Sequence, residues 1–117
     1  MADYKRIDVR EVDGVTVVRF RDQRILEAIE IKELGHELFQ LVEVDKVKKL
    51  LLCFSSVDFV SFAFFGKLIT LDKKVKAHEG VLKLSNIRPE IYEYFTITKL
   101  DRRFDIKDDE AEALATF

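Results

Sequence analysis

The chain has 117 residues, 48% of them hydrophobic and 36% charged, which suits one globular domain over residues 1–117 and excludes a disordered or fibrous protein. Its net charge of −2 argues against a nucleic-acid partner, and no apolar run is long enough to cross a membrane. Residues 1–10 are mostly polar and do not resemble a signal peptide, so we expect a location in a reducing cytoplasm.

The phenylalanine content is unevenly distributed along the chain. There are ten phenylalanines and no tryptophan, and five of the ten lie between Phe54 and Phe65. Either a dense element of the core or an exposed apolar surface would account for such a cluster. The predicted elements that carry these residues decide between the two.

Apolar patterning predicts the elements of the N-terminal half. The β-prone runs Ile7–Val12 and Val15–Phe20 flank Asp13-Gly14, a dipeptide that tolerates the positive φ angles of a tight hairpin turn. Residues Ile31–Val42 carry apolar side chains at helical spacing, which predicts an amphipathic helix. The run Leu50–Phe54 shows no polar alternation, which predicts a central strand covered on both faces.

The C-terminal half alternates helices with short strands. Helical periodicity returns over Ser61–Glu79 and stops at Gly80, which can adopt the left-handed conformation that ends a helix. The remaining predicted elements are, in order, the strand Val81–Leu84, the helix Pro89–Phe95, the strand Phe104–Ile106 and the acidic helix Asp108–Leu114. The whole order predicts an α/β fold, a mixed β-sheet with an N-terminal hairpin and about four helices packed on it.

The helix that begins at Ser61 divides the phenylalanine cluster. On a helical wheel, Phe62 and Ile69 point away from the core-facing stripe, Ala63 points outward, and Phe65 lies at the edge. The other phenylalanines of the cluster are expected in the core: Phe54, Phe59 and Phe64. Phe62 and Ile69 are either covered by another element or form a small exposed apolar patch, which would mark a contact site.

Several segments match the motifs of one known family. Asp58–Gly66 follows the predicted central strand, where the family has a motif of the type D-F-[IVL]-D-S-[ST]-G-L-G. Gly80–Ile91 matches its helix end, strand and next helix, and Ile97–Ile106 resembles its closing T-x-L-D-x-x-F-x-I segment. Leu26-Glu27 falls where the family often has Leu-Asp before the first helix. Over residues 7–106 the chain therefore resembles the STAS domain (sulphate transporter and anti-sigma factor antagonist), in its small bacterial form.

This resemblance implies a regulator that acts by binding another protein. Such domains bind an anti-sigma factor, often a kinase of the histidine-kinase-like ATPase fold, and so release a sigma factor. Phosphorylation of a serine at the start of the second helix switches the binding off, because a phosphate adds a charge of about −1.5 to −2 to the contact surface.

The sequence departs from the family pattern at this switch. Ala63 occupies the position of the phosphorylatable hydroxyl, Phe62 that of the preceding serine, Ser61 that of the acidic residue and Phe64 that of the first glycine. Alanine cannot accept a phosphate, so the resemblance predicts a family member without the usual switch. Ser61 keeps a hydroxyl, and we expect it to cap the helix rather than to be phosphorylated.

The predicted partner-binding surface is the start of this helix together with the loop around Glu27. Its residues on the helix are Ser61, Phe62, Ala63, Phe65, Gly66 and Ile69. Two alternatives remain open. In one, the domain is a diverged or engineered scaffold whose phenylalanine-rich helix end binds an unrelated protein or forms a homodimer. In the other, a cleft of the sheet senses a small molecule.

No residue pattern points to catalysis, a metal ion or a cofactor. His36 and His78 have no second ligand at metal spacing, and Cys53 lies in an apolar run that predicts a core position. The acidic run Asp108-Asp109-Glu110 has the pattern of a solvated helix face rather than of an acid/base pair. We therefore expect a protein that is not an enzyme.

Overall fold

The computed structural model describes residues 4–117, and its main sheet is mixed and has five strands. The strand order is β1-β2-β4-β6-β7; β1 is antiparallel to β2, and every other neighbouring pair is parallel. The strands of this sheet are β1 (Ile7–Val12), β2 (Val15–Phe20), β4 (Lys49–Cys53), β6 (Val81–Ser85) and β7 (Asp105–Lys107). The helices are α1 (Ala28–Glu43), α2 (Phe62–Ala77), α3 (Pro89–Ile97) and α4 (Glu110–Ala115). The predicted α/β fold and its order of elements are confirmed.

The N-terminal hairpin has the predicted turn. Asp13 and Gly14 both have positive φ angles, of 50° and 82°, and Val12 pairs with Val15 across the turn. Two consecutive positive φ angles match the right-handed twist of the two strands, so the turn sets the register of the hairpin.

The central strand β4 is buried on both of its faces, as predicted. Leu50 and Leu52 face the large core, to which α1, α2 and α3 contribute, whereas Leu51 faces a smaller cluster on the opposite side. All three leucines are fully buried. The sheet is therefore the middle of three layers, with three helices on one face and α4 on the other.

A buried lysine binds residues near the C-terminus on the face of the sheet that α4 covers. Lys83 of β6 is only 6% exposed, and its Nζ lies 2.8 Å from Asp105 Oδ2 and 2.9 Å from Thr116 Oγ1. The same ammonium lies 5.3 Å from the centre of the Phe117 ring. Partners on both sides satisfy a charge that would otherwise be costly to bury.

Three short elements have no counterpart among the predicted ones. Strands β3 (Arg24–Ile25) and β5 (Phe59–Val60) form a parallel two-stranded sheet, and a 3-10 helix covers Leu100–Arg102. Directly after the 3-10 helix, Arg103 Nε donates to the buried carboxylate of Asp72 in α2 at 2.9 Å. These elements pair or bond with distant parts of the chain, which explains why local patterning does not reveal them.

The structure corrects two predicted helix boundaries. Helix α1 begins at Ala28 rather than Ile31, and the amide of Glu27 donates to Glu30 Oε1 at 3.1 Å in the manner of a capping box. At the end of α2 the left-handed residue is Glu79, with φ of 60°, and not Gly80 as predicted. Gly80 is required for another reason, because a Cβ there would lie 2.7 Å from the carbonyl oxygen of Lys48.

This close approach predicts opposite effects for two Gly-to-Ala substitutions. Gly80→Ala should lower the free energy of unfolding by about 1–3 kcal/mol, because backbone must move to admit the methyl group. Gly66→Ala is the control: a Cβ there meets nothing within 4 Å, and a helical alanine should raise stability by about 0.5–1 kcal/mol. Urea unfolding monitored by circular dichroism measures both free energies. Equal effects of the two substitutions would contradict the close approach of Gly80 to the backbone at Lys48.

The Lys83–Asp105 pair predicts a component of stability that is lost in acid. The hydrogen bond from Lys83 holds the pKa of the Asp105 carboxyl below its ordinary value, although partial desolvation opposes the shift. A lowered folded-state pKa stabilises the protein above the unfolded pKa of about 3.9, and this contribution disappears as the pH falls through the folded pKa. Asp105→Asn should therefore destabilise the protein at neutral pH and have a smaller effect near pH 3 or below. Urea unfolding of both proteins across this range measures the difference. Asp108→Asn, at an exposed residue outside the ion pairs of the described residues, is the control and should cost less at neutral pH.

Candidate protein-interaction site

The parallel strands bring the loops of the predicted site to one edge of the sheet. Strands β2, β4, β6 and β7 run in the same direction, so the segments that follow them lie together at their carboxyl ends. The small β3–β5 sheet then joins two of these segments. Ile25 pairs with Val60, and the amide of Ser61 donates to the carbonyl of Ile25 at 2.8 Å. Leu26 and Glu27 directly follow Ile25 in this ladder, and the part of Glu27 in binding a partner stays a prediction.

Ser61 is the N-cap residue of α2. Its backbone is extended, and its Oγ accepts a hydrogen bond from the amide of Ala63 at 3.3 Å. This contact satisfies one of the amides that a helix leaves free at its first turn. The predicted capping role of Ser61 is confirmed, and the half-buried hydroxyl is already used within the protein.

Phe62 is the large apolar side chain that the core leaves out. It is 57% exposed, and its ring lies 4.9 Å from the centre of the Tyr94 ring and 5.7 Å from that of Phe65. These two neighbours support the inner side of the ring while the outer side meets solvent. Of the two interpretations of Phe62 that the sequence left open, the structure supports the exposed patch.

Phe65 does not belong to the exposed part of the predicted surface. It is only 4% exposed, and its ring packs 4.9 Å from that of Phe95 in α3. The wheel placed Phe65 at the edge of the core stripe, and α3 covers that edge. Phe65 therefore lies under Phe62 and supports it, which corrects its place among the residues expected to contact a partner directly.

The remaining predicted residues of α2 lie on or near the surface. Ala63 and Gly66 are exposed, and Ile69 is half-buried. A Cβ at Gly66 would meet nothing within 4 Å, so no side chain fills the space on this part of the helix next to the Phe62 ring. The role of these residues in binding a partner stays a prediction.

The structure adds exposed apolar residues that sequence reasoning missed. Ile97 in α3 is 73% exposed, Ile29 in the first turn of α1 is 60% exposed, and Leu26 in the preceding loop is also exposed. Tyr94 is half-buried against Phe62. Sequence periodicity could have identified Ile97 as lying off the core stripe of α3, but the contact between Phe62 and Tyr94 joins residues far apart in sequence and leaves no local pattern.

Charged side chains surround the start of α2 in specific pairs. Asp58 Oδ1 lies 2.9 Å from Arg88 Nη2, which connects the loop before β5 to the start of α3. The Arg24 guanidinium lies 5.3 Å from the centre of the Phe59 ring. Phe59, which the sequence placed in the core, is only half-buried, because it belongs to the small outer sheet.

Other candidate features contribute no chemical site. Cys53 is buried and free, His36 is exposed, and His78 is the C-cap residue of α2. Within residues 4–117 there is no group of three or more His, Cys, Asp or Glu residues that could hold a metal ion, and no helix is long and apolar enough to cross a membrane.

An open groove is the candidate place for the small-molecule alternative. It lies between the hairpin and the end of α1 and has a volume of about 560 Å³. Two charged side chains of its border are engaged within the protein: Asp45 accepts from the Tyr4 hydroxyl at 2.7 Å, and Lys48 donates to the carbonyl of His78. A small-molecule role of this groove stays a prediction.

Comparison with known families agrees with this architecture. The model of the STAS domain family matches residues 6–113, which is nearly the whole chain. The chain therefore belongs to the STAS domain family, as its motifs indicated.

Solved structures of anti-sigma factor antagonists have the same fold. An anti-sigma-factor antagonist (STAS) domain protein from Planctomyces limnophilus is 25% identical, with a TM-score of 0.82 over 94% of this chain and 95% of that one. An anti-sigma factor antagonist from Mycobacterium paratuberculosis is 21% identical, with a TM-score of 0.82 over 94% and 91%. The phosphorylated form of the Bacillus cell fate determinant SpoIIAA is 15% identical, with a TM-score of 0.71 over 94% and 97%. At this level of identity the last two comparisons concern the fold alone.

The placement of the phenylalanines predicts different costs for removing two neighbouring rings. Phe64→Ser should lower the free energy of unfolding by about 3–5 kcal/mol, since that fully buried ring packs 5.9 Å from Phe20 in the core. Phe62→Ser should cost at most about 1 kcal/mol, because only its edge contacts are lost. Thermal or urea unfolding of both variants tests this. A large loss for Phe62→Ser would mean that its ring is covered in solution.

Proposed function

We propose that this protein is a cytoplasmic, non-catalytic regulator of the anti-sigma factor antagonist type. It would bind an anti-sigma factor, in particular a kinase of the histidine-kinase-like ATPase fold, and so free a sigma factor. Its contact surface would consist of the start of α2 and the loop before α1. Membership of the STAS family and the antagonist structures that share its fold support this class of function.

The observation that carries the proposal is the exposed Phe62 ring at the start of α2. Burying a large aromatic side chain in a partner contributes much more to affinity than most surface contacts do. Ala63 and Gly66 leave space around the ring for an approaching surface. The capping bond of Ser61 and the ladder to Ile25 hold this part of the chain in place, so binding would require little ordering.

The second part of the proposal is that the phosphorylation switch is absent. Phosphorylated SpoIIAA shows that a protein of this fold can carry a phosphate. In this chain Ala63 occupies the position that the family resemblance assigns to the modified hydroxyl, and a methyl side chain cannot be phosphorylated. Ser61 keeps a hydroxyl, which accepts a hydrogen bond from the amide of Ala63, and we expect it to cap the helix rather than to be phosphorylated.

Incubation with a candidate anti-sigma kinase and ATP tests both parts. We expect a stable complex by light scattering, and mass spectrometry should find no phosphate on residues 61–66. Phe62→Ser should weaken the complex by at least about tenfold, since a central aromatic residue contributes about 1.4 kcal/mol or more. Stoichiometric phosphate on Ser61 of the unchanged protein would overturn the second part.

Two control variants sharpen the experiment. Tyr92→Ser removes an aromatic side chain that is 41% exposed on α3, on a different face from Tyr94, which packs against Phe62. This variant should leave the affinity for the kinase unchanged. Ala63→Ser places a hydroxyl at the position that the family resemblance assigns to the switch, and phosphate on this variant alone would show that the kinase recognises the start of α2. A homodimer that dissociates on Phe62→Ser, with no binding to any kinase, would instead favour self-association.

A further inference from the structure

The exposed apolar surface continues from α2 onto α3. Phe62 and Ile69 are seven residues apart and lie on one side of α2. Tyr94, which packs against Phe62, and Ile97 lie one helical turn apart on α3. We name these four residues the α2–α3 surface; the exposed fractions of Phe62 and Ile97, 57% and 73%, show that no described part of the chain covers it.

Acidic side chains border this surface on α3. Glu90 lies one turn before Tyr94, and Glu93 lies beside it, toward solvent. Both are exposed, and neither forms an ion pair with any residue of 4–117. The nearest arginine in sequence, Arg88, is already paired with Asp58. The α3 side of the apolar centre therefore has a negative border, whereas the exposed Lys73, one turn after Ile69, lies on the α2 side.

We propose that the α2–α3 surface receives a partner protein whose own contact surface is apolar at its centre and carries Lys or Arg along the edge that meets α3. This inference rests on the proposed function for the start of α2 and extends it by adding α3 to the interface and by assigning the partner's charge. Burial of Phe62 and Ile97 supplies affinity, whereas Glu90 and Glu93 orient the partner and accelerate its association.

The same charges argue against other occupants. In a symmetric dimer with α3 at its two-fold axis, Glu90 and Glu93 would lie near the identical residues of the second copy, and like charges in an interface are unfavourable. A nucleic acid or an anionic membrane would be repelled for the same reason. A basic partner is the one class whose charge complements the border.

Two synthetic peptides test this charge assignment without any knowledge of the natural partner. One is an amphipathic helix of leucine and lysine, and the other has glutamate in place of each lysine. Each is titrated into the isotopically labelled protein, and amide chemical shifts are recorded. The lysine peptide should change the amide chemical shifts of residues in the α2–α3 surface. Its binding should weaken as the ionic strength rises from about 0.05 M to about 0.5 M. The glutamate peptide should bind at least about fivefold more weakly.

Charge reversal supplies the matched control. The double variant Glu90→Lys/Glu93→Lys should lower the affinity for the lysine peptide by at least about fivefold. The control variant Asp108→Lys/Glu112→Lys changes the same number of charges around α4 and should leave that affinity unchanged. Thermal unfolding confirms that each variant is folded. Four results would each overturn the proposal. The two peptides could bind equally well, or the chemical shift changes could map to another surface. The α4 variant could weaken binding as much as the α3 variant does, or the protein could form a dimer through the α2–α3 surface.

The same variants separate this inference from the proposed function. If an anti-sigma kinase binds the protein and Phe62→Ser weakens the complex but Glu90→Lys/Glu93→Lys does not, the function stands and the charged α3 border is wrong. If no kinase binds while the lysine peptide maps to the α2–α3 surface, the assigned surface chemistry stands and the sigma-related function fails.

Discussion

The burial of β4 on both faces is the constraint on which the rest of the structure depends. A strand with leucines on each side must have a layer above and a layer below, and its parallel neighbours then require crossover helices. Those crossovers direct the segments after β2, β4 and β6 to one edge of the sheet. The candidate site is therefore a consequence of the topology, because the loop before α1 and the starts of α2 and α3 meet where the parallel strands end.

Polar contacts add to apolar burial in holding this edge together. The bond from the Ser61 amide to the carbonyl of Ile25 and the Asp58–Arg88 pair each connect two separate loops, and the Ser61 cap fixes the first turn of α2. They allow apolar side chains such as Phe62 to remain outside the core without unfolding the segment that carries them. An exposed aromatic ring on a well-fixed backbone is suited to binding because little conformational entropy remains to be lost.

The sequence predicted the elements whose signal is local. The Asp13-Gly14 turn, the apolar run of β4 and the periodicity of α2 each depend on neighbouring residues, and each was confirmed. The β3–β5 ladder and the contact of Phe62 with Tyr94 join distant segments, so no window of sequence contains them. The wheel separated Phe62 from Phe64 correctly, but it could not show that α3 covers Phe65. Gly80 was identified as important for the wrong reason, since its lack of a Cβ matters and its φ angle does not.

The buried Lys83 has a consequence for how the chain folds during synthesis. Its partners Asp105, Thr116 and Phe117 all follow the other strands of the sheet in sequence, so they leave the ribosome after them. Until residues 105–117 emerge, the second face of the sheet has no cover, and Val15, Val17 and Leu51 stay open to solvent beside an unpaired ammonium group. We therefore expect the nascent domain to expose one apolar face of its sheet until residues 105–117 cover that face.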